Sequence, residues 1–332
     1  MEIKNFLKQN IFTKNIYSYL WNIKKQVVRN HERKKNLSGK FIFTNRSTAS
    51  DKLCIVLAGY KNFLIPTVMV RLKKFAPNDI DICIITSGKW SEEINLLCKE
   101  NNWSYLSTKR NNVSLAQNIA INLHKSAKYI FKLDEDIFIT KNYFSKLLTA
   151  YQMSKDTTYY NCGVMAPTIP INGFGHVRIL EYFNLVDFYR KTFGQLKIAA
   201  GPERKIESDP QLARFMWGDK MVCDGREYSL PSIDEMNEVF EKRNQLTIES
   251  CSIRFSIGAI LFERKLWEEM NFFHVSDGTD MGADEVQLCE FCMIKSKPIM
   301  ISENIVVGHL SFGQQNESMK EYYLNNKDKF TI

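Results

Sequence analysis

Apolar and polar positions alternate along most of the chain in blocks whose lengths separate strands from helices. Residues 52–58 (KLCIVLA) form a nearly unbroken apolar run that stops at Gly59-Tyr60, the pattern of a strand buried on both faces. Residues 63–75 return to helical spacing, with Pro66 near the start, where its missing N–H is tolerated. A second strand-like run, 80–86 (IDICIIT), ends at Ser87-Gly88; residues 91–100 predict a helix and 103–106 a short strand. Leu115, Ile119 and Leu123 share one face of a helix predicted over 113–127, which leads directly into another apolar run at 128–133. Strands alternating with helices of this length predict an α/β protein with a mostly parallel sheet and helices on both faces. Ligands of such sheets sit beyond the carboxyl ends of the strands.

From about residue 151 to 249 the pattern loosens into a region dense in Gly, Pro and aromatic residues, read as an insertion. Helical pieces are expected at 180–192 and 233–244, and Gly173-Phe174-Gly175-His176 reads as a mobile loop. Order returns with a strand over 252–262 containing Gly258-Ala259, helices over 265–270 and 284–295, a strand at 299–301 and the stretch Val306-Val307-Gly308-His309. No internal repeat is present.

Charge changes the picture at the amino terminus. The chain carries a net charge of +8, while residues 1–50 alone, with eleven Lys/Arg and two Glu, carry +9. Phe12, Ile16, Leu20, Ile23 and Val27 recur there at helical spacing beside Tyr17 and Trp21, with Lys14, Lys24 and Lys25 off the stripe. Such a basic amphipathic helix suits an anionic membrane surface, and residues 1–30 are the expected contact; packing on the main domain or a second subunit is the other reading. Residues 31–51, polar and rich in small residues, read as a linker, so the expected division is an N-terminal extension over 1–50 and one catalytic domain over 51–332. No nucleic-acid reader motif accompanies the charge. No apolar stretch reaches the roughly 20 residues of a membrane span, and the start lacks a signal-peptide core. Eight cysteines are scattered, and the single pair Cys289/Cys292 has no second pair to complete a zinc site. Buried, reduced thiols and a cytoplasmic location, peripheral at the inner face of the cell membrane, are expected.

The chemistry centres on residues 131–139 (FKLDEDIFI). Asp134 and Asp136 interrupt an apolar run, and their i, i+2 spacing leaves both carboxylates on one side of a strand end. Two hard oxygen donors so placed can share a divalent cation that keeps waters and phosphate oxygens in its other positions. The plainer reading is a solvated acidic turn. Asp284 and Glu285 begin a predicted helix, where acids serve either as favourable charges at the helix start or as a base.

Four stretches in order resemble the GT-A glycosyltransferases, most closely the family-2-like inverting group. They are the strand 52–58; Asn112-Val113-Ser114-Leu115-Ala116-Gln117-Asn118; the DxD-like Asp134-Glu135-Asp136; and Gly258-Ala259 followed by Met281-Gly282-Ala283-Asp284-Glu285-Val286-Gln287-Leu288. The resemblance implies a Rossmann-like GT-A sheet and a nucleotide-sugar donor, with UDP the commonest base. It implies Mn²⁺ or Mg²⁺ held by Asp136, Asp134 and His309, and donor contacts from Asp134, Asn112 and Asn118; Tyr60 and Lys61 are candidate nucleotide contacts from their position after the first strand. Register from Leu288 puts Glu285 at the position of the catalytic base, with Asp284 as the alternative. The acidic residue that often ends the second strand of such proteins is replaced here by Thr86-Ser87-Gly88. The inserted region 151–249 is expected to shape the site of a saccharide acceptor, free or lipid-linked, with Trp217 either stacking on a sugar or serving as core, and Asp219 and Arg226 available for hydroxyls. The basic amino terminus, which would hold the catalyst near a membrane, makes surface polysaccharide, capsule or lipopolysaccharide synthesis the expected role, and the abundance of Lys, Asn and Ile suits an AT-rich bacterial genome. A sugar-phosphate nucleotidyltransferase and a non-catalytic carbohydrate-binding subunit are the competing readings.

Overall fold

A computed structural model describes residues 11–157, 159–199, 204–243, 245–278 and 282–332. Residues 1–10 of the basic extension and Met281 of the late acidic motif lie outside them. Helix α1 (Ile11–Asn36) leads to strand β1 (Phe41–Thr44), and the expected alternation follows: β2 (Lys52–Leu57), α2 (Ile65–Phe75), β3 (Asp81–Ser87), α3 (Glu92–Glu100), β4 (Ser104–Thr108), α4 (Val113–Leu123) and β5 (Tyr129–Leu133). The short β6 (Ile137–Phe138), α5 (Tyr143–Thr157), β7 (Val164–Thr168), α6 (Gly175–Tyr182), α7 (Val186–Phe193) and α8 (Pro210–Met216) come next. A hairpin of β8 (Met221–Cys223) and β9 (Arg226–Tyr228), α9 (Ile233–Glu241), β10 (Ile248–Ser250), β11 (Ala259–Glu263), α10 (Arg264–Glu269), α11 (Ala283–Ile294), β12 (Ile299–Val306), β13 (Gly308–His309) and α12 (Asn316–Asn325) complete the chain.

The main sheet has the order β1-β4-β3-β2-β5-β11-β7-β12-β10. Among the described residues, β2, β3, β4, β5, β7 and β12 run one way, and β1, β10 and β11 run against them. Every residue of β3, β4 and β5 is buried, as expected for strands covered by helices on both faces. β2 pairs with β3 on one side and β5 on the other, so the chain reverses its direction of travel across the sheet there. At that reversal the loops leaving neighbouring strands diverge and open a crevice at their carboxyl ends.

Residues 31–51 are not a linker. Helix α1 continues to Asn36, whose side chain is buried and bonds the backbone of Asn271 and Val275. Strand β1 pairs with β4 along the sheet edge, and Ser47, Thr48 and Ser50 together give the Asp81 carboxylate four hydrogen bonds of 2.5–3.0 Å. Polar composition misled here because the hydroxyl and amide groups satisfy a buried carboxylate rather than water.

Residues 151–249 are not set apart from the sheet, since β7 lies inside it and β10 at its edge; between those strands a second apolar cluster forms with the chain's last segment, joining Leu180, Phe188, Phe215, Trp217 and Phe240 to Tyr323 and Phe330. The helix expected over 180–192 is split into α6 and α7, with Asn184 at φ 56° between them, a left-handed angle that asparagine accepts better than most residues. The strand expected over 252–262 is regular only from Ala259, and the helix expected over 233–244 ends at Glu241. Residues 173–176 are buried: Asn172 Oδ1 accepts the N–H groups of Phe174 (2.8 Å) and Gly175 (3.3 Å), turning the chain into α6. Cys292 is buried and its thiol pushed up to about 12 by burial, in keeping with packing.

Burial also pushes His176 down to about 4, against the opposing hydrogen bond of its Nδ1 with the Asn172 carbonyl at 2.8 Å. A depressed folded pKa means the stabilisation is complete above the ordinary value of 6.5 and is lost as pH falls toward 4, by up to about 3 kcal/mol. Urea unfolding at a series of pH values should show this decline, and His176→Gln should flatten it; an identical slope in the variant would assign the decline to other groups.

Candidate active site

The crevice at the β2/β5 junction is closed by the acidic turn. Asp134 N–H donates to the Gly258 carbonyl (2.8 Å) and Ile137 N–H to the Asp134 carbonyl (3.2 Å), so the three acids project from a defined bend. Glu135 turns toward β2, where its carboxylate accepts Gly59 N–H (2.8 Å) and Tyr60 N–H (2.9 Å). Gly59 has φ +108°, an angle that favours glycine, and a Cβ there would sit tightly, 3.1–3.2 Å from the Lys89 and Thr86 side chains. The clamp places Lys61 beside the turn.

Asp136 is 4% exposed. Its Oδ2 lies 2.5 Å from Lys61 Nζ and 3.2 Å from His309 Nε2. His309 reaches this point because β13 pairs antiparallel with β6, setting it opposite Ile137, while Trp217 Nε1–H donates to the His309 carbonyl at 3.1 Å. Burial would raise the Asp136 pKa, but His309 and Lys61 outweigh it and hold the group well below the usual carboxylate range. Burial works against a protonated His309, and Asp136 overrides it and raises the imidazole.

Asp134 faces a different cation. Lys132, two residues earlier and on the same face of β5, donates to Asp134 Oδ1 at 2.6 Å and to the Ile257 carbonyl at 2.9 Å. It is 2% exposed; burial opposes its charge, and Asp134, Asp284 and Glu285 outweigh burial. Gly258 packs on the other side of the carboxylate, where a Cβ would lie 3.3 Å from Asp134 Oδ2. Asp284 accepts Gln117 Nε2–H at 2.8 Å. Glu285 pairs with Arg254 Nε at 2.5 Å through Oε1, and its Oε2 is 3.4 Å from Ile257 N–H. Tyr60, Lys61, Asp134, Asp136, Asp284, Glu285 and His309 all line one cavity of about 640 Å³.

Not every residue expected at the site is there. Asn112 caps α4, accepting Leu115 N–H at 2.9 Å and donating to the Gly278 carbonyl. Asn118 is fully buried; its Oδ1 accepts Trp267 Nε1–H (2.9 Å) and Phe273 N–H (3.0 Å), and its Nδ2 donates to the Asn36 and Phe273 carbonyls. Neither lines the cavity. Trp217 is core, with its ring 5.2 Å from Phe138 and 4.6 Å from Phe330. Asp219 pairs with Lys329, and Arg226 sits exposed on β9.

Asp134, Asp136 and His309 do not converge as one set of three: the groups gathered at one point are Asp136, His309 and Lys61. Among the described residues no cluster of three or more His, Cys, Asp or Glu suits a metal ion. The two donors present still fit a divalent cation, since a carboxylate and an imidazole converge on a cavity roomy enough for ligand oxygens, at a spot that already attracts a cation. Sequence reasoning overlooked Lys132, Glu135, Gln117 and Arg254. Lys132 was legible, as a lysine inside a buried strand with an acid at i+2; the contacts of Glu135, Gln117 and Arg254 join distant segments and left no local signal.

No protein-family model and no curated protein sequence matches the chain. Among solved structures, it is similar to GalNAc-T7 with UDP, GalNAc and Mn²⁺ at 12% identity and a TM-score of 0.46, over 79% of this chain and 44% of that one. It is also similar to mannosyltransferase PcManGT from Pyrobaculum calidifontis in complex with GDP-Man and Mn²⁺, at 12% identity and a TM-score of 0.44, covering 89% and 67%. Residues 1–349 of S. aureus TarS give 9% identity and a TM-score of 0.42, covering 78% and 60%. The chain thus spans less than half the length of the first of these.

Replacing Asn118 by Ala should strip partners from the Trp267 indole N–H and the Phe273 N–H and destabilise the fold by about 2–4 kcal/mol. Urea unfolding measures the loss. Calorimetric Mn²⁺ binding at a temperature where the variant stays folded should match wild type; weakened binding would return Asn118 to the site.

Proposed function

We propose that the chain is a metal-dependent glycosyltransferase that moves a sugar from a nucleotide-sugar donor, with UDP as the expected nucleotide, to a saccharide acceptor. The observation carrying this reading is one shared cavity: Asp136, His309 and Lys61 meet at a point in its lining, and Glu285 and Asp284 line the same space. Asp136 and His309 would hold a divalent cation, whose chemistry there is to neutralise the departing diphosphate. Lys61 and Lys320 add positive charge to the cavity wall for the same group. Tyr60, whose hydroxyl bonds the Ser87 carbonyl and Asn111 Oδ1 at 2.7 Å, presents a fixed ring beside the same loop for the nucleotide.

Glu285 serves as the base. Arg254 holds Oε1, and Oε2, which accepts the Ile257 N–H at 3.4 Å through one lone pair, takes the proton of the acceptor hydroxyl as that oxygen bonds to the anomeric carbon. The bond from that carbon to the diphosphate breaks, and the nucleoside diphosphate leaves; attack from the side opposite the leaving group inverts the anomeric centre, the course that the family resemblance favours. Asp284, buried behind it, takes this role if Glu285 serves only to hold Arg254.

The acceptor is proposed to be a lipid-linked saccharide of a bacterial surface polysaccharide. Among the described residues no helix is long and apolar enough to cross a membrane. Ile16, Leu20, Ile23 and Val27 of α1 are all exposed, and Lys24 and Lys25 lie 5.9 and 5.5 Å from the Trp21 ring. The helix is docked towards its end, where Arg29 and Arg33 donate to carbonyls of Glu268 and Glu269 and Asn36 bonds the backbone of Asn271 and Val275. Apolar side chains beside lysines and an aromatic ring support contact with an anionic bilayer.

Released nucleotide from a panel of UDP-, GDP-, dTDP- and CMP-sugars, with and without Mn²⁺, tests the reaction. Asp136→Ala should abolish metal-dependent donor binding, and Glu285→Gln should bind donor yet lose transfer by about a hundredfold or more. No turnover of any donor with Mn²⁺ or Mg²⁺ would reject the reading. In a second experiment, the protein should sediment with phosphatidylglycerol-containing vesicles and not with pure phosphatidylcholine ones; a Leu20→Glu, Ile23→Glu double variant should stay in the supernatant, and equal sedimentation would reject membrane contact.

A further inference from the structure

The same Asp136 oxygen is wanted by two cations. Lys61 Nζ lies 2.5 Å from Oδ2, the atom that also faces His309 Nε2, so an ammonium and a divalent ion cannot both occupy it. Asp134 is already partly engaged, since Lys132 holds its Oδ1 at 2.6 Å from a buried position. The two lysines differ in freedom. Lys132 is buried in β5 and fixed by a carboxylate and a carbonyl. Lys61 keeps 24% side-chain exposure on the loop after β2, with a flexible four-carbon stem. That loop's backbone is anchored by Glu135, so the ammonium can swing without the main chain moving.

We propose that Lys61 is a tethered counter-ion of Asp136, which yields the carboxylate to a divalent cation only when a diphosphate is there to receive the ammonium, so that cation and nucleotide bind as a coupled pair. The inference rests on the donor reading above and adds to it an order in which the charges exchange. Without nucleotide, a cation must displace Lys61 and then sit beside an ammonium with no anion to pair with it. With nucleotide, the ammonium passes to the phosphate oxygens, and both carboxylate and ammonium stay paired. Coupling of this kind is reciprocal: nucleotide tightens the cation by the factor by which the cation tightens nucleotide. The other charges at this point do not substitute for Lys61, since His309 bonds the same oxygen as a ligand would and Lys132 is committed to Asp134.

Lys61→Met keeps the length of the stem and removes the charge. Free Mn²⁺ counted by electron paramagnetic resonance should show wild type binding Mn²⁺ weakly alone and at least tenfold more tightly with UDP or GDP. The variant should bind Mn²⁺ alone about tenfold more tightly than wild type, bind nucleotide with Mn²⁺ more weakly, and show a smaller coupling than wild type, keeping the part that comes from direct attraction between cation and diphosphate. Lys61→Gln should behave the same way, with unfolding midpoints confirming that both variants are folded. Unchanged or weaker nucleotide-free Mn²⁺ binding in both variants would overturn the proposal while leaving the donor reading in place. If no form binds Mn²⁺ even with nucleotide, the cation site itself falls and the proposal with it.

Discussion

The site depends on one carboxylate that stands outside the two-acid pattern. Glu135 accepts the N–H groups of Gly59 and Tyr60 and so ties the loop after β2 to the turn after β5. These loops leave adjacent parallel strands at the point where the sheet reverses its order, and nothing in strand pairing alone would hold them together. With the clamp in place, Lys61 is delivered to Asp136, while the backbone at Asp134 is fixed from the other side by the Gly258 carbonyl. Charge-assisted hydrogen bonds to backbone N–H groups are among the stronger polar contacts available for such a task.

A second constraint positions His309. β13 is only two residues long, and it is supported by Trp217, whose indole bonds the His309 carbonyl and whose ring closes on Gly308. A Cβ at Gly308 would fall 2.3 Å from that ring. Trp217 in turn packs on Phe138 and Phe330, so the insertion and the chain's last segment together hold the imidazole in place. Buried Arg71 strengthens the same region, bridging Asp234 and the carbonyls of Ile139 and Phe330. Residues 151–249 thus support the site through packing, by way of Trp217.

Much of this was legible beforehand, for physical reasons that differ by residue. Strands β2, β3 and β5 announced themselves because a strand covered on both faces must be apolar throughout. Asp134 and Asp136 stood out because charges are expensive beside such a strand. Lys132 carried the same signal and could have been read with them. Asn118 was misassigned: a motif places an asparagine in sequence, but the partners that claim its four hydrogen bonds come from α1, from α10 and from residue 273, far apart along the chain. Residues 31–51 were misassigned because a serine and threonine run looks alike whether water or a buried Asp81 accepts its hydrogen bonds.

By itself the sequence determined the alternation of strands and helices, the acidic turn at the end of β5, the acids that open α11 and the basic amphipathic face of α1, since each is written in local spacing of charge and hydrophobicity. Only the tertiary structure decided how those charges pair. It assigned Asp134 to Lys132 and Asp136 to Lys61 and His309, gave Glu285 to Arg254, and turned Trp217 inward. The reason is that pairing depends on distance in space, and the partners of Asp136, 75 positions before it and 173 after it, meet through strand order and loop clamps that no local pattern encodes.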